Sequence, residues 1–543
     1  MIRRIATVGG LTLVSRLTGF VRDVVMAAIL GAGPIADAFF VAFRLPNHFR
    51  AIFAEGAFAA AFVPAYARTL EQAGLPAAKL FADQIAAALI FINLVLLGFA
   101  LLFTPWVVSV LAPGLVDDPT RFDLAVALTR ITFPYLVLVS VETLFAGILN
   151  ANNRFASAAG APVLLNLSIV ATLLLAPHFS DAGHAAAWGV LIAGVAQVLL
   201  VGVDAERHGM GVRLRLPRLD EPTRKFLKAL GPAIIGAGGV QLALFADTLI
   251  ASFLPTGSLS ALYYADRINQ LPIGVVGIAV GTVLLPEMSR RLAAGDEKGA
   301  ASAQARGIQL ALLLTIPCAA GAIAIPDLIM RALFARGAFT AADAAAAGAT
   351  LAAYSIGLLP FVLLRSFTAP FYARGDTATP VKAALLAASV NIMLKVLLMD
   401  HLAQVGLALA TSVGAWINLS LLALFARRQG FAVSGAAIGR PLAKLIAAGV
   451  VLAAALLAGA YGLERALSGL SVFREETMLA LLLVLGAIVY GLLVLMLLGR
   501  PWLKSLLREV TVAADTPAPP DLESPDPTDD SAALPDNEPP PKA

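Results

Sequence analysis

Apolar runs about twenty residues long return from one end of the chain to the other, as in IAAALIFINLVLLGFALLF at 85–103. A helix of about twenty apolar residues matches the roughly 30 Å hydrocarbon layer of a bilayer, so such runs read as membrane-spanning helices. Of the 543 residues, 59% are hydrophobic and only 14% charged, against about 25% charged in soluble domains. The expected fold class is therefore an all-α polytopic membrane protein. Breaks at charged or Pro/Gly-rich stretches divide it into about fourteen transmembrane helices. Met1-Ile-Arg-Arg leads into an interrupted, internally charged helix rather than a cleavable signal. Cys318, the single cysteine, lies in an apolar run and reads as a small core residue.

Charge is unevenly spread. Residues 513–543 hold eight acids, one lysine and nine prolines, so the rest of the chain carries about +11 against +4 overall. That tail, taken as 511–543, cannot bury apolar surface and reads as disordered. With both termini on the cytoplasmic side, the inside loops collect about 25 Lys/Arg and the outside loops about five, which sets the orientation. The richest inside loop, 204–228, carries Arg207, Arg213, Arg215, Arg218, Arg224, Lys225 and Lys228. It divides an N-lobe of six helices (1–209) from a C-lobe of six (226–430), with 210–225 as a cytoplasmic linker. Helices 13 and 14 fall within 431–510.

The lobes look duplicated. RLPNHF at 44–49 is echoed by QLPIGV at 270–275, AAFVPAYARTL at 60–70 by TVLLPEMSRRL at 282–292, and Pro134 by Pro360. Six helices per unit is an even number, so the repeats run in the same sense. Parallel repeats of this kind characterise alternating-access transporters with the site between the halves.

Charged residues inside these spans narrow the function. Arg16, Arg22 and Asp23 lie in helix 1, and Asp37, Arg44, Arg50 and Glu55 in segment 2. Asp247, Asp266, Arg267, Arg365 and Lys395 lie in the second half. A charge at mid-bilayer costs about 2.5–3.5 kcal/mol on insertion scales, so these side chains face water or each other. Structural pairing explains Arg22–Asp23 and Asp266–Arg267 as readily as function does, and Lys395 reads first as a partner for Asp247. The surplus is harder to pair away: five arginines (16, 22, 44, 50 and 267) face few nearby acids. A guanidinium fork matches phosphate oxygens, so the surplus points to an anionic ligand. Pro46 with Gly56, and Pro272 with Gly274, are expected to break their helices beside it. Five scattered histidines and the lack of a Walker A sequence give no metal centre, cofactor or ATP motor, and no convincing catalytic carboxylate pair marks an enzyme.

The stretches SRLTGFVRD (15–23), GAGPIADAFFVAFRLPNHFRAIFAEGAF (31–58), ITFPY (131–135), AGILNANNRF (146–155), YYADR (263–267), GVVGIAVGTVLLPEMS (274–289) and FYARGDTATPVK (371–382) resemble the MurJ (MviN) family of lipid II flippases. That family belongs to the superfamily that includes MATE drug exporters. The resemblance covers about residues 1–500. It implies two six-helix lobes around a cationic cavity in the bacterial inner membrane, with helices 13 and 14 forming a groove for the polyprenyl tail. It also implies lipid II and membrane lipids as partners, contacts with cell-wall synthesis and division proteins, no nucleic acid, and action as a monomer.

By motif match, Arg16, Arg22, Asp37, Arg44, Arg50 and Arg267 become the expected substrate-binding set. Asp23, Glu55 and Asp266 become gating or polar partners. Some members bind sodium between helices 7, 11 and 12, where Asp247, Asn391 and Thr411 could match; Lys395, one turn after Asn391, would put an ammonium there instead. Gln270 stands where the family often has a glutamate. The rival readings are a flippase for another polyprenyl-diphosphate glycan, a cation-coupled drug exporter, a lipid II polymerase and a scaffold.

Overall fold

A computed structural model of the chain describes residues 2–50, 57–213, 221–470 and 472–506. Glu55, Gly56, Arg215, Arg218 and the acidic tail lie outside the described residues. Among those described, the regular structure is helical, without a strand.

The first half comprises α1 (Ile2–Leu30), α2 (Pro34–Arg50), α3 (Ala57–Leu102), α4 (Thr104–Leu111), α5 (Pro119–Thr132), α6 (Tyr135–Ala151), α7 (Ala156–Leu174) and α8 (Ala182–Arg207). The second comprises α9 (Glu221–Ser252), α10 (Ser258–Pro272), α11 (Ile278–Ala293), α12 (Glu297–Ala324), α13 (Pro326–Phe334), α14 (Ala341–Ile356), α15 (Leu358–Ala373) and α16 (Ala378–Arg428). The last two are α17 (Gly435–Ala466) and α18 (Arg474–Leu497).

Local chemistry sets the starts. Asp118, Asp181 and Asp296 each accept a backbone N–H three residues on, from Arg121, His184 and Gly299. Thr340 and Asp343 form a reciprocal capping box at α14. Each cap satisfies donors that a helix N-terminus otherwise leaves unpaired.

Ten described helical stretches are long and apolar enough to cross a bilayer. Two of them must fold back. At 1.5 Å per residue, α3 and α16 would each extend about 70 Å or more. Gly74 breaks α3 with φ +76°, and the Phe62 and Phe81 ring centroids lie 5.9 Å apart across the turn. Ala403 breaks α16 with φ +45°, and Gly406 and Gly414 back onto Leu398 and Asn391. With these folds the element order is consistent with fourteen crossings.

Helices α1, α2 and α5–α8 pack chiefly on one another, as do α10–α12 and α14–α16, while α17 and α18 pack on each other and on α12 and α13. The break expected at Pro46 is not seen: α2 continues to Arg50. A proline withholds a single N–H, and a helix packed among others absorbs that. At the duplicated position the helix does change, since α10 ends at Pro272 and passes through a π-helical turn, Ile273–Gly277.

The lobes meet at the end of the bundle that carries residues 31–34, 112–118, 253–257 and 335–340. Ala338 N donates to Ala28 O at 2.7 Å. Gly31 (φ +68°) and Gly337 (φ +59°) lie so close to the opposite backbone that a Cβ would sit 2.6 Å from Ala338 O and 2.2 Å from Ala28 O. Only glycine serves at such contacts.

Candidate functional site

Three layers follow in register down α2 and α10 from the closed end. The first is a latch. Asp37, with no exposed surface, accepts from Gly257 N (2.7 Å), Ser260 N (3.1 Å) and Ser260 Oγ (2.7 Å). Arg121 Nη1 lies 3.8 Å away. A carboxylate at the N-terminus of α10 satisfies donors that the helix leaves free and meets its positive dipole end. Asp37 thus joins the lobes and lies outside the cavity described below, although its motif grouped it with ligand-binding residues.

Beneath the latch is an aromatic layer. Phe40 of α2 stacks on Tyr263 at 4.1 Å and meets Tyr264 edge-on at 5.7 Å, and Tyr264 packs on Phe334 and Phe339. This layer seals the space below it.

The third layer is ionic. Arg22 is 6% exposed and donates to Asp23 Oδ1 through Nε (3.1 Å) and Nη2 (2.7 Å), to Asn166 Oδ1 (3.0 Å) and to the Tyr263 hydroxyl (3.2 Å). The Tyr263 hydroxyl donates to Asp23 Oδ1 at 3.0 Å and accepts from Arg267 Nη2 at 3.0 Å, while Arg267 Nε lies 3.5 Å from Asp23 Oδ2. Asp23 therefore ties an arginine from each lobe. In this conformation Arg22 is consumed by partners and Arg267 is only partly so.

Below Tyr263 lies a polar cavity of about 450 Å³ between the lobes. Arg44 and Asn47 line it from α2, and Asp266, Arg267, Asn269 and Gln270 from α10. Asp247, Lys395 and Thr411 close the far side. Gln270 Nε2 donates to Asp266 Oδ1 at 3.3 Å. Of the expected substrate-binding set, the structure brings Arg44 and Arg267 to this cavity. Arg50 donates to Asn47 Oδ1 at 2.9 Å, just beyond Arg44. Arg16 is exposed, with its guanidinium beside Gly274, where an added Cβ would come 2.7 Å from Nη1.

Of the proposed cation ligands, Asp247 and Thr411 line the cavity together with the Lys395 amine, and Asn391 is not among its lining residues. Lys395, 2% exposed, forms an ion pair with Asp247 Oδ1. Asn391 Oδ1 is buried without a partner among the described residues, and Thr411 Oγ1 donates to Leu407 O at 2.9 Å. No group of three or more His, Cys, Asp or Glu suited to a metal occurs among the described residues.

A second cavity, about 860 Å³ and almost wholly apolar, runs between α10, α12, α17 and α18. Leu313, Pro317, Leu452, Leu482, Tyr490 and Val494 are among its lining residues. Cys318 lines it too and is exposed there, not a core residue as its apolar run suggested. A sulfhydryl packs as well against a groove as in a core, so the run alone could not separate the two. Sequence reasoning also passed over Tyr263, Asn166 and Asn269 as site residues. Tyr263 stands inside the YYADR motif; the two asparagines carry no charge to mark them.

Two helical lobes flank a polar cavity, an architecture also seen in a solved MATE transporter of the MOP superfamily. A solved MATE multidrug transporter in an inward-facing conformation shares the fold with a TM-score of 0.60 at 15% identity, over 76% of this chain and 94% of its own. The family model described as "Lipid II flippase MurJ" matches residues 26–475. A "probable lipid II flippase MurJ" of Rhizobium tropici is 39% identical over 92% of this chain and 95% of its own. The "lipid II flippase MurJ" of Burkholderia cenocepacia is 35% identical over 83% and 89%. A solved structure of "lipid II flippase MurJ, inward closed conformation" aligns with a TM-score of 0.75 and 25% identity over 90% of this chain and 98% of that one. The chain belongs to the MurJ family of lipid II flippases, as its motifs suggested.

Proposed function

We propose that this chain moves lipid II, a disaccharide-pentapeptide on a polyprenyl diphosphate, from the cytoplasmic to the periplasmic leaflet of the bacterial inner membrane for peptidoglycan synthesis. The observation that carries this reading is the two-part site. An arginine-bearing polar cavity and a long apolar groove lie on different faces of α10 and share Asn269 as a lining residue, which suits one ligand with an anionic head and a long apolar tail and suits a compact drug poorly. Both termini are cytoplasmic, so the end latched by Asp37 faces the periplasm. Residues 1–209 and 226–430 act as the moving lobes, with 210–225 linking them and 431–510 supplying the tail groove. One chain contains the whole path and acts as a monomer beside cell-wall synthesis and division proteins.

The diphosphate enters below the ionic layer and is met by Arg44, Arg50 and Arg267. An arriving phosphate competes with Asp23 for Arg267, which frees Asp23 and loosens the tie between lobes. Release of the Asp37 latch then opens the periplasmic side. Each cavity charge feels about 2.3 kcal/mol per 100 mV of membrane potential, so an inside-negative potential draws the empty, net-positive site back to face inward.

The native single cysteine offers a test of the groove. Undecaprenyl diphosphate added to purified protein is expected to protect Cys318 from a lipid-soluble maleimide, and undecaprenol to protect it at higher concentration. Modification at an unchanged rate with saturating lipid would mean that the groove does not hold the tail.

Lys395 carries a second expectation. An ammonium already paired with Asp247 leaves no role for a bound monovalent cation, so transport is expected at equal rates in sodium and choline buffers. Lys395→Ala leaves Asp247 without its partner, and its thermal stability is expected to become sodium-dependent while that of the parent protein does not. A parent protein that transports only in sodium contradicts this part of the reading.

A further inference from the structure

The two cavities adjoin at one buried polar side chain. Asn269, on α10 between Arg267 and Pro272, lines both the polar cavity and the apolar groove and is 4% exposed. Its Oδ1 is buried and has no hydrogen-bond partner among the described residues. An unpaired buried amide is costly to keep, and an apolar residue of the same shape would remove that penalty. Among the described residues, nothing in the packing asks for the amide. Leu262 and Ile268 show that the same helix accommodates aliphatic side chains around it.

We propose that Asn269 is a binding residue at the head–tail junction, and that its side-chain amide hydrogen-bonds the phosphate nearest the polyprenyl chain. This rests on the lipid-flippase reading and deepens it by naming what recognises the point where head becomes tail. The chemistry fits the position. A guanidinium at the mouth of an apolar groove would carry a full charge to the edge of hydrocarbon, whereas a carboxamide offers two N–H donors and one acceptor with no net charge. Because the amide makes no bond through Oδ1 among the described residues, it can turn its N–H groups toward a phosphate oxygen without breaking one there. Arg267, two residues away and about 200° round the helix, lines the same cavity, so a diphosphate held there can be met by an arginine on its head side and by the amide on its tail side. The residue thereby ties head binding to tail seating. A ligand with only one of the two parts would not gain the contact.

The test compares binding of undecaprenyl diphosphate, inorganic pyrophosphate and undecaprenol to the purified full chain and to its Asn269→Leu and Asn269→Asp variants. For Asn269→Leu, undecaprenyl diphosphate is expected to bind about tenfold more weakly, the factor that a hydrogen bond to a charged acceptor is worth. Pyrophosphate, which has no tail to hold it against the junction, and undecaprenol, which has no phosphate, are expected to bind as before. Asn269→Asp, which sets a carboxylate against the phosphate, is expected to be weaker still. The melting temperature of Asn269→Leu is expected not to fall, since no protein hydrogen bond of Oδ1 is lost. Equal weakening of undecaprenol would make Asn269 part of the groove's shape only, and unchanged affinity or a clear loss of stability would also overturn the proposal. Should the unaltered chain bind pyrophosphate but not undecaprenyl diphosphate, the lipid-flippase reading would fall, and the junction with it.

Discussion

Arg267→Ala is expected to cut lipid II translocation to near background, with a loss of at least about thirtyfold, because truncating one member of a hydrogen-bonded charge pair costs roughly 2–5 kcal/mol. Two effects combine at this residue. Its guanidinium lines the polar cavity, and it also holds Asp23 Oδ2 and the Tyr263 hydroxyl across the lobe interface. Removing it lowers the cavity's positive charge and leaves Asp23 to Arg22 and the Tyr263 hydroxyl, so head binding and its coupling to lobe movement fail together. Arg267→Lys keeps the charge but loses the fork that spans two oxygens, and its rate is expected to fall between the two. Tyr263→Phe removes one hydroxyl shared by three groups and should slow transport less than Arg267→Ala does. Rates from proteoliposomes with matched protein insertion decide the order. An Arg267→Ala variant that transports as fast as the parent would remove Arg267 from the site.

The second large effect is expected far from the cavity. Gly337→Ala should loosen the closed end, because the new Cβ would lie 2.2 Å from Ala28 O in a backbone held at φ +59°. A left-handed conformation alone costs a non-glycine residue about 1–2 kcal/mol, and neither backbone can yield without parting the lobes. The equilibrium is therefore expected to move at least about tenfold toward the state open at that end. In a Cys318→Ala background, Leu262→Cys places a reporter in the cavity wall. Its labelling by a membrane-impermeant maleimide added outside should rise in the Gly337→Ala protein, and transport should fall. Gly33→Ala, where nothing lies within 4 Å of the added carbon, is the control and should change neither. Equal labelling in all three proteins would mean that the glycine contacts do not hold the end shut.

The membrane class and the duplicated lobes were legible in the sequence because desolvation leaves a coarse mark. A bilayer demands long apolar runs, and a charge inside one needs a reason. That logic found Arg267, Arg44, Asp266 and the Lys395–Asp247 pair, all of which line the polar cavity. It could not decide which charges are spent on the fold itself. Arg22 and Asp37 carry the same mark, yet one is consumed by Asp23, Asn166 and Tyr263 and the other by the N-terminus of α10. Whether a buried ion faces a ligand or a neighbour depends on helix rotation, and a run of uniformly apolar residues encodes rotation weakly. The fold-back in α3 had a glycine to announce it. The one in α16 turns on Ala403, which no local residue preference would select. Neutral site residues such as Asn269 are quieter still, since their demand for a partner becomes visible only when the surrounding cavity is.

The most direct measurement is translocation of headgroup-labelled lipid II by the purified chain in proteoliposomes under an imposed potential, inside negative. Lipid II is expected to cross only when the protein is present, faster with the potential than without it, and not with Arg267→Ala. A well-folded protein that leaves lipid II in place but expels a cationic dye would contradict the flippase assignment and make the cavity that of an exporter.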